Sequence, residues 1–106
     1  MKIPFKAAFL AHAPDGEPEK HKGLIETPMY KLFTVVVKNQ VQAIEECKKL
    51  VKEEGIHVFM LCPGFKDNDV AEITEAVGAN VGVYVARGDS PGRTLPQEVR
   101  IKAYSS

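Results

Sequence analysis

Leu32-Phe33-Thr34-Val35-Val36-Val37, then the stretch from Asn39 to Gly55, then Ile56-His57-Val58-Phe59-Met60-Leu61: the order of these segments decides the fold. The first and third are apolar on both alternating faces, which suits strands covered on both sides. Between them Asn39 is placed to cap a helix, Gln42 stands three residues on in the manner of a capping box, and Gly55 supplies the stop. At roughly 100° per residue, Ala43, Ile44, Cys47, Leu50 and Val51 fall within an arc of about 120° and form one buried stripe. Cys47 is therefore expected to be a core thiol. Lys48, Lys49, Lys52, Glu53 and Glu54 flank the stripe as a solvated face.

Downstream the pattern repeats. Asp69 with Glu72 marks the start of a second helix whose apolar positions are Val70, Ile73 and Val77 and which Gly78 ends. Asn80 to Ala86 alternates β-branched with small or aromatic residues, as a strand with two different faces does. Strand, helix, strand, helix, strand from Tyr30 to Ala86 implies two right-handed crossovers and a parallel sheet. Upstream, Phe5 to Ala11 reads as a first strand that Pro14-Asp15-Gly16-Glu17-Pro18 breaks. Pro18 to Lys22 suits one helical turn with proline at its first position, and Pro28 interrupts any continuation. Beyond Ala86 lies a Gly/Pro-rich turn, in which Arg87-Gly88-Asp89 is read as turn chemistry. Val99-Arg100-Ile101-Lys102 then alternates like an edge strand or an arm.

The expected fold is thus α/β: a small, mostly parallel four-stranded sheet with two main helices, plus a C-terminal arm. Residues 1–86 form a single domain on this reading, and residues 87–106 an arm packing on their own or a neighbouring subunit. Two helices on one face leave the other face of an apolar sheet without cover, so a homo-oligomer is expected.

At 106 residues there is room for one core and no second domain. Fourteen basic residues balance fourteen acidic ones, so no global field draws the chain to nucleic acid or to a membrane surface. The N-terminal segment lacks a signal-peptide apolar region, which makes a cytoplasmic location and reduced thiols the expectation. The chain has no P-loop, dinucleotide fingerprint or nucleophile elbow, and no cofactor is expected. Asp67-Asn68-Asp69 reads as helix capping, and no metal site is expected.

Candidate site residues gather at the strand end before Cys62-Pro63-Gly64-Phe65-Lys66. In an open α/β sheet ligands settle at the carboxyl ends of the strands. Cys62 is placed there, and a following helix N-terminus favours an anion through free amides at Gly64 and Phe65. Arg87 emerges at the same edge and suits a carboxylate or phosphate. His12 ends the first strand, and His21 lies in the polar segment; either would serve Cys62 as a base. His57 begins its strand, at the opposite edge.

Pro18-Glu19-Lys20-His21 with Glu26-Thr27, and Leu61-Cys62 with Gly64-Phe65, resemble a family of short prokaryotic proteins catalogued as domain of unknown function 6506. The likeness runs from about Phe9 to Tyr84, and Pro63 stands where the family's usual step is Cys-Gly. It implies a compact α/β domain and highlights His21, Glu26 and Cys62 without giving them roles. The functional expectation is a cytoplasmic domain binding a small anionic ligand at the carboxyl edge through Gly64, Phe65, Arg87 and Glu26. Two alternatives stand beside it: a small isomerase-like or lyase-like enzyme using Cys62 with His12 or His21, and a non-catalytic assembly subunit.

Overall fold

Alternation and capping place the elements. In the computed structural model, which describes residues 3–87 and 94–105, the order is β1 (Phe5–His12), β2 (Lys22–Glu26), β3 (Tyr30–Val37), α1 (Gln40–Glu54), β4 (Val58–Leu61), α2 (Asp67–Val77), β5 (Gly82–Val85) and α3 (Thr94–Tyr104). The strands form one sheet in the order β2-β3-β1-β4-β5. β1 is parallel to both β3 and β4, β4 is parallel to β5, and β2 alone is antiparallel, against β3. The α/β class and mostly parallel sheet agree with the sequence reading.

Asn39 Oδ1 accepts the Gln42 N–H at 2.9 Å, and Gly55 closes α1 in the left-handed region at φ 69°. The Gln42 side chain does reach back, but to the Lys38 N–H at 2.8 Å, one residue before the cap. α2 starts at Asp67, two residues earlier than expected, and Asp69 is the residue that reaches back, accepting the Lys66 N–H at 2.9 Å. The Glu17 carbonyl accepts the N–H groups of Lys20 and His21, with Pro18 first in the turn they close, the single helical turn anticipated there.

The sheet has five strands rather than four. Lys22-Gly23-Leu24-Ile25-Glu26 carries only two apolar residues, side by side, so nothing alternates; it is an exposed edge strand fixed by its hairpin to β3. Thr27 and Tyr30 close that hairpin around Pro28 and Met29. The C-terminal segment is also different, since residues 94–104 are helical, not an edge strand. Pro96 in the first turn and Lys102 in the last are helix-end signals that outweigh the two-residue alternation of Val99 and Ile101. The turn containing Gly88 and Asp89 lies outside the described residues.

Both crossovers that carry a helix run the same way, from β3 across β1 to β4 and from β4 to β5. Consequently α1 and α2 pack against each other on one face of the sheet. One core unites Ala8 and Leu10, Val35 and Val37, Phe59 and Leu61 with Ala43 and Cys47 of α1 and Ile73 and Val77 of α2. The alternate residues point the other way: Phe5, Ala7 and Phe9 of β1, Leu32 and Thr34 of β3, Val58 and Met60 of β4, and Tyr84 of β5. No helix among the described residues covers that face, and Tyr84 is 66% exposed on it. Gly16 lies over its carboxyl end, where a Cβ would stand 2.8 Å from the Val37 carbonyl carbon, so the β1–β2 loop packs there only with glycine. No helix among the described residues is long and apolar enough to cross a membrane.

Candidate functional site

The chain leaves β1 toward β2 and β3 on one side, whereas the crossover returns to β4 on the other. The sheet order therefore reverses at β1, and the crevice beyond the carboxyl ends of β1 and β4 is where open α/β sheets take ligands. His12 is the last residue of β1, and Cys62 follows β4 directly, its N–H held by the Leu10 carbonyl at 3.0 Å. Their register brings the two side chains together: Cys62 Sγ lies 4.0 Å from His12 Nδ1.

The loop after Cys62 shapes the surroundings. Phe65 N–H donates to the Cys62 carbonyl at 3.1 Å, closing a four-residue turn with Pro63 at its second position, where the ring's fixed φ is favoured. Pro63 thus fits the turn. Gly64 is not in the left-handed region, so the turn does not need glycine for its backbone. Space is what it provides: a Cβ on Gly64 would sit 3.2 Å from His12 Nδ1 and 3.5 Å from Cys62 Sγ. Glycine thus puts no Cβ against His12 Nδ1 and Cys62 Sγ, and Gly64 itself is exposed.

Phe65 is fully buried and stacks on the His12 ring, centroids 4.0 Å apart and planes inclined by 29°. The phenyl fixes the orientation of the imidazole. Desolvation lowers the His12 pKa from the ordinary 6.5, while the Asp69 carboxylate pulls in the opposite direction. The net lowering favours the uncharged ring, and Nδ1 accepts from Cys62 in the tautomer that carries its proton on Nε2. Cys47 is the contrasting thiol: it is fully buried on the core side of α1, and burial, aided by the Glu46 carboxylate, pushes it up to about 12.

Arg87 reaches the same edge and is committed to the loop. Its Nη1 donates to the carbonyls of Phe65 at 3.1 Å and Pro63 at 3.4 Å, and Nη2 meets the Asp67 carboxylate at 3.3 Å. It braces the turn that carries Gly64. His21 lies elsewhere, on the far side of β3, where its Nδ1 accepts the Glu17 N–H at 3.0 Å and its carbonyl accepts from Val36. Glu26 pairs with Lys31 at 3.3 Å near the amino end of β3, the opposite edge of the sheet. His57 is at that edge too, stacked on Phe5 and accepting the Lys6 N–H. Of the residues singled out in the sequence, His12, Cys62, Gly64, Phe65 and Arg87 converge; His21 and Glu26 do not join them.

Two further residues belong to this edge. Asp69 is the charged group felt by His12, and Gln40, at the start of α1, donates to the Asp69 carbonyl at 3.0 Å and to Glu72 at 3.2 Å. The Gln40 Oε1 is buried without a partner. Sequence patterning marked Asp69 only as a helix-start residue and gave no signal for Gln40, whose contacts cross from one helix to the other. Among the described residues no three His, Cys, Asp or Glu side chains gather as metal ligands would.

Residues 5–99 match the model of a family described as a family of unknown function, DUF6506. The chain belongs to this family. The match extends past the stretch from Phe9 to Tyr84, taking in the start of β1 and part of α3, so the C-terminal segment has a counterpart in the family. No curated protein and no solved structure matches the chain.

Proposed function

We propose that the crevice at the carboxyl ends of β1 and β4 is a small-molecule site in which Cys62 and His12 act as a reactive pair. One observation carries this reading: His12 Nδ1 and Cys62 Sγ approach to 4.0 Å, with the space beside both left open at Gly64. A lone thiol needs a base to become a nucleophile or proton acceptor at neutral pH, and a neutral, ring-stacked imidazole is such a base.

The chemistry follows from the two atoms. The Cys62 S–H proton passes to His12 Nδ1, leaving a thiolate beside an imidazolium. The thiolate then adds to an electrophilic carbon or removes a proton from a carbon next to a carbonyl, and His12 returns its proton to the developing oxygen or carbon anion. That is isomerase-like or lyase-like work, with no redox partner required. A separation of 4.0 Å suits a resting site, since such contacts commonly tighten when substrate binds.

Anion capture is the weaker reading for this edge. Three of the Arg87 hydrogen-bond contacts go to the loop and to Asp67, and Asp67 and Asp69 already occupy the first turn of α2, where an anion would settle.

The test is the pH dependence of alkylation at each cysteine in the native protein and in His12→Asn. Cys62 should react faster than Cys47 in both proteins, and its own rate near neutral pH should fall in the variant. Equal profiles for Cys62 in the two proteins, or a Cys62 as inert as Cys47, would remove the pair from consideration.

A further inference from the structure

We infer that the helix-free face of the sheet is a self-association surface, on which a second copy of this chain docks through the same face. The strand register puts alternate residues of all five strands there, among them Phe5, Phe9, Ile25, Leu32, Met60 and Tyr84. None of the side chains that the register assigns to this face is charged. The charged strand residues Lys6, Lys22, Glu26 and Lys31 all fall on the helix side, where Lys6 Nζ donates to the Glu54 carbonyl. Ala7 and Val58 at its centre are buried by their neighbours, yet the rim is open: Tyr84 is 66% exposed, Ile25 63% and Phe5 47%. Parallel sheets are stable when both faces are covered, and an uncharged face this wide marks an interaction surface.

Size selects the occupant. Five strands about 4.8 Å apart make a face roughly 24 Å across, with a planar footprint on the order of 450 Å² before side-chain relief is added. That brings it within reach of the ~800 Å² per partner of a standard interface. A single helix is about 10–12 Å in diameter, so α3 would cover half the width at most. Its Glu98, Arg100 and Lys102 would also lie close to an uncharged floor. An identical sheet face matches both the width and the lack of charge, and two such faces pack about 10 Å apart around a two-fold axis. Ala7, fully buried, and Gly82 carry the smallest side chains on this face, so the larger residues around them supply the contact surface.

Sedimentation of the full chain and of two variants, Tyr84→Lys and Thr34→Lys, tests the inference. Both substitutions lie on the open face and leave the helix-side core intact. The native chain should sediment as a dimer at micromolar concentration, and each variant as a monomer with unchanged circular dichroism. Val99→Glu and Ile101→Glu on α3 should leave the dimer whole. A monomeric native chain overturns the proposal, as does a dimer that survives both lysine variants. Loss of the dimer only with the α3 variants would give the interface to that helix instead. Nitration of the native protein needs no variant: Tyr84 should be protected while Tyr104, 52% exposed on α3, reacts. Equal nitration of the two would contradict the docked face.

Discussion

Replacing Gly64 with alanine separates access to the reactive pair from the stability of the fold. The backbone at Gly64 is not left-handed, so alanine fits its conformation and stiffens the unfolded chain, an effect worth about 0.4–1 kcal/mol in favour of folding. Against this, the new methyl carbon would stand 3.2 Å from His12 Nδ1 and 3.5 Å from Cys62 Sγ, so the imidazole must yield by a few tenths of an ångström. The two effects are of similar size and opposite sign, and net stability should move by less than about 1 kcal/mol in either direction. Reactivity has no such compensation. The methyl occupies the volume through which a reagent meets the sulfur, and the alkylation rate of Cys62 should fall by about tenfold or more, a rise of at least ~1.4 kcal/mol in the barrier. Mass spectrometry of iodoacetamide labelling, with urea unfolding on the same samples, reads both quantities. An unchanged rate at unchanged stability would show that Gly64 is not the opening to the pair, and the proposed site would lose its entrance.

Three other outcomes are expected. Asn39→Ala removes the 2.9 Å bond that caps α1 and should cost about 1 kcal/mol in urea unfolding without altering Cys62 labelling. Arg87→Gln takes away the bonds that hold the Pro63 and Phe65 carbonyls; because the Asp67 pair is solvent-exposed, stability should fall by only ~1 kcal/mol, while amide exchange across residues 63–66 accelerates. His12, its folded pKa held below the unfolded 6.5, contributes stability that is fully present above pH 6.5 and is lost as pH falls through the lower folded value. His12→Asn should therefore flatten the stability profile in that window, which matched urea titrations of the two proteins would show.

The elements with strong local signals were legible in the sequence. α1 announced itself through Asn39, its apolar stripe and Gly55, and β3 and β4 through apolar residues on both alternating faces; each is where that pattern put it. β2 was hidden because an exposed edge strand has no buried face to impose alternation. α3 was hidden because Val99 and Ile101 mimic strand alternation, whereas Pro96 and Lys102 carry the helical signal. At the site, the carboxyl edge and the Cys62 turn followed from element order. The choice between His12 and His21 did not: it depends on β1 lying between β3 and β4, a pairing set by tertiary packing and invisible in local spacing. The role of Arg87 was hidden for the same reason, since its acceptors at Pro63 and Phe65 become neighbours only when β5 pairs with β4.

The central claim is that Cys62 and His12 face each other in one crevice. Imidazole NMR before and after selective methylthiolation of Cys62 tests it most directly. The account predicts that the His12 resonances and their titration move when the sulfur is blocked, while those of His21 and His57, which lie across β3 and at the opposite sheet edge, stay in place. His12 signals indifferent to the block, or His21 signals responding in their stead, would contradict it.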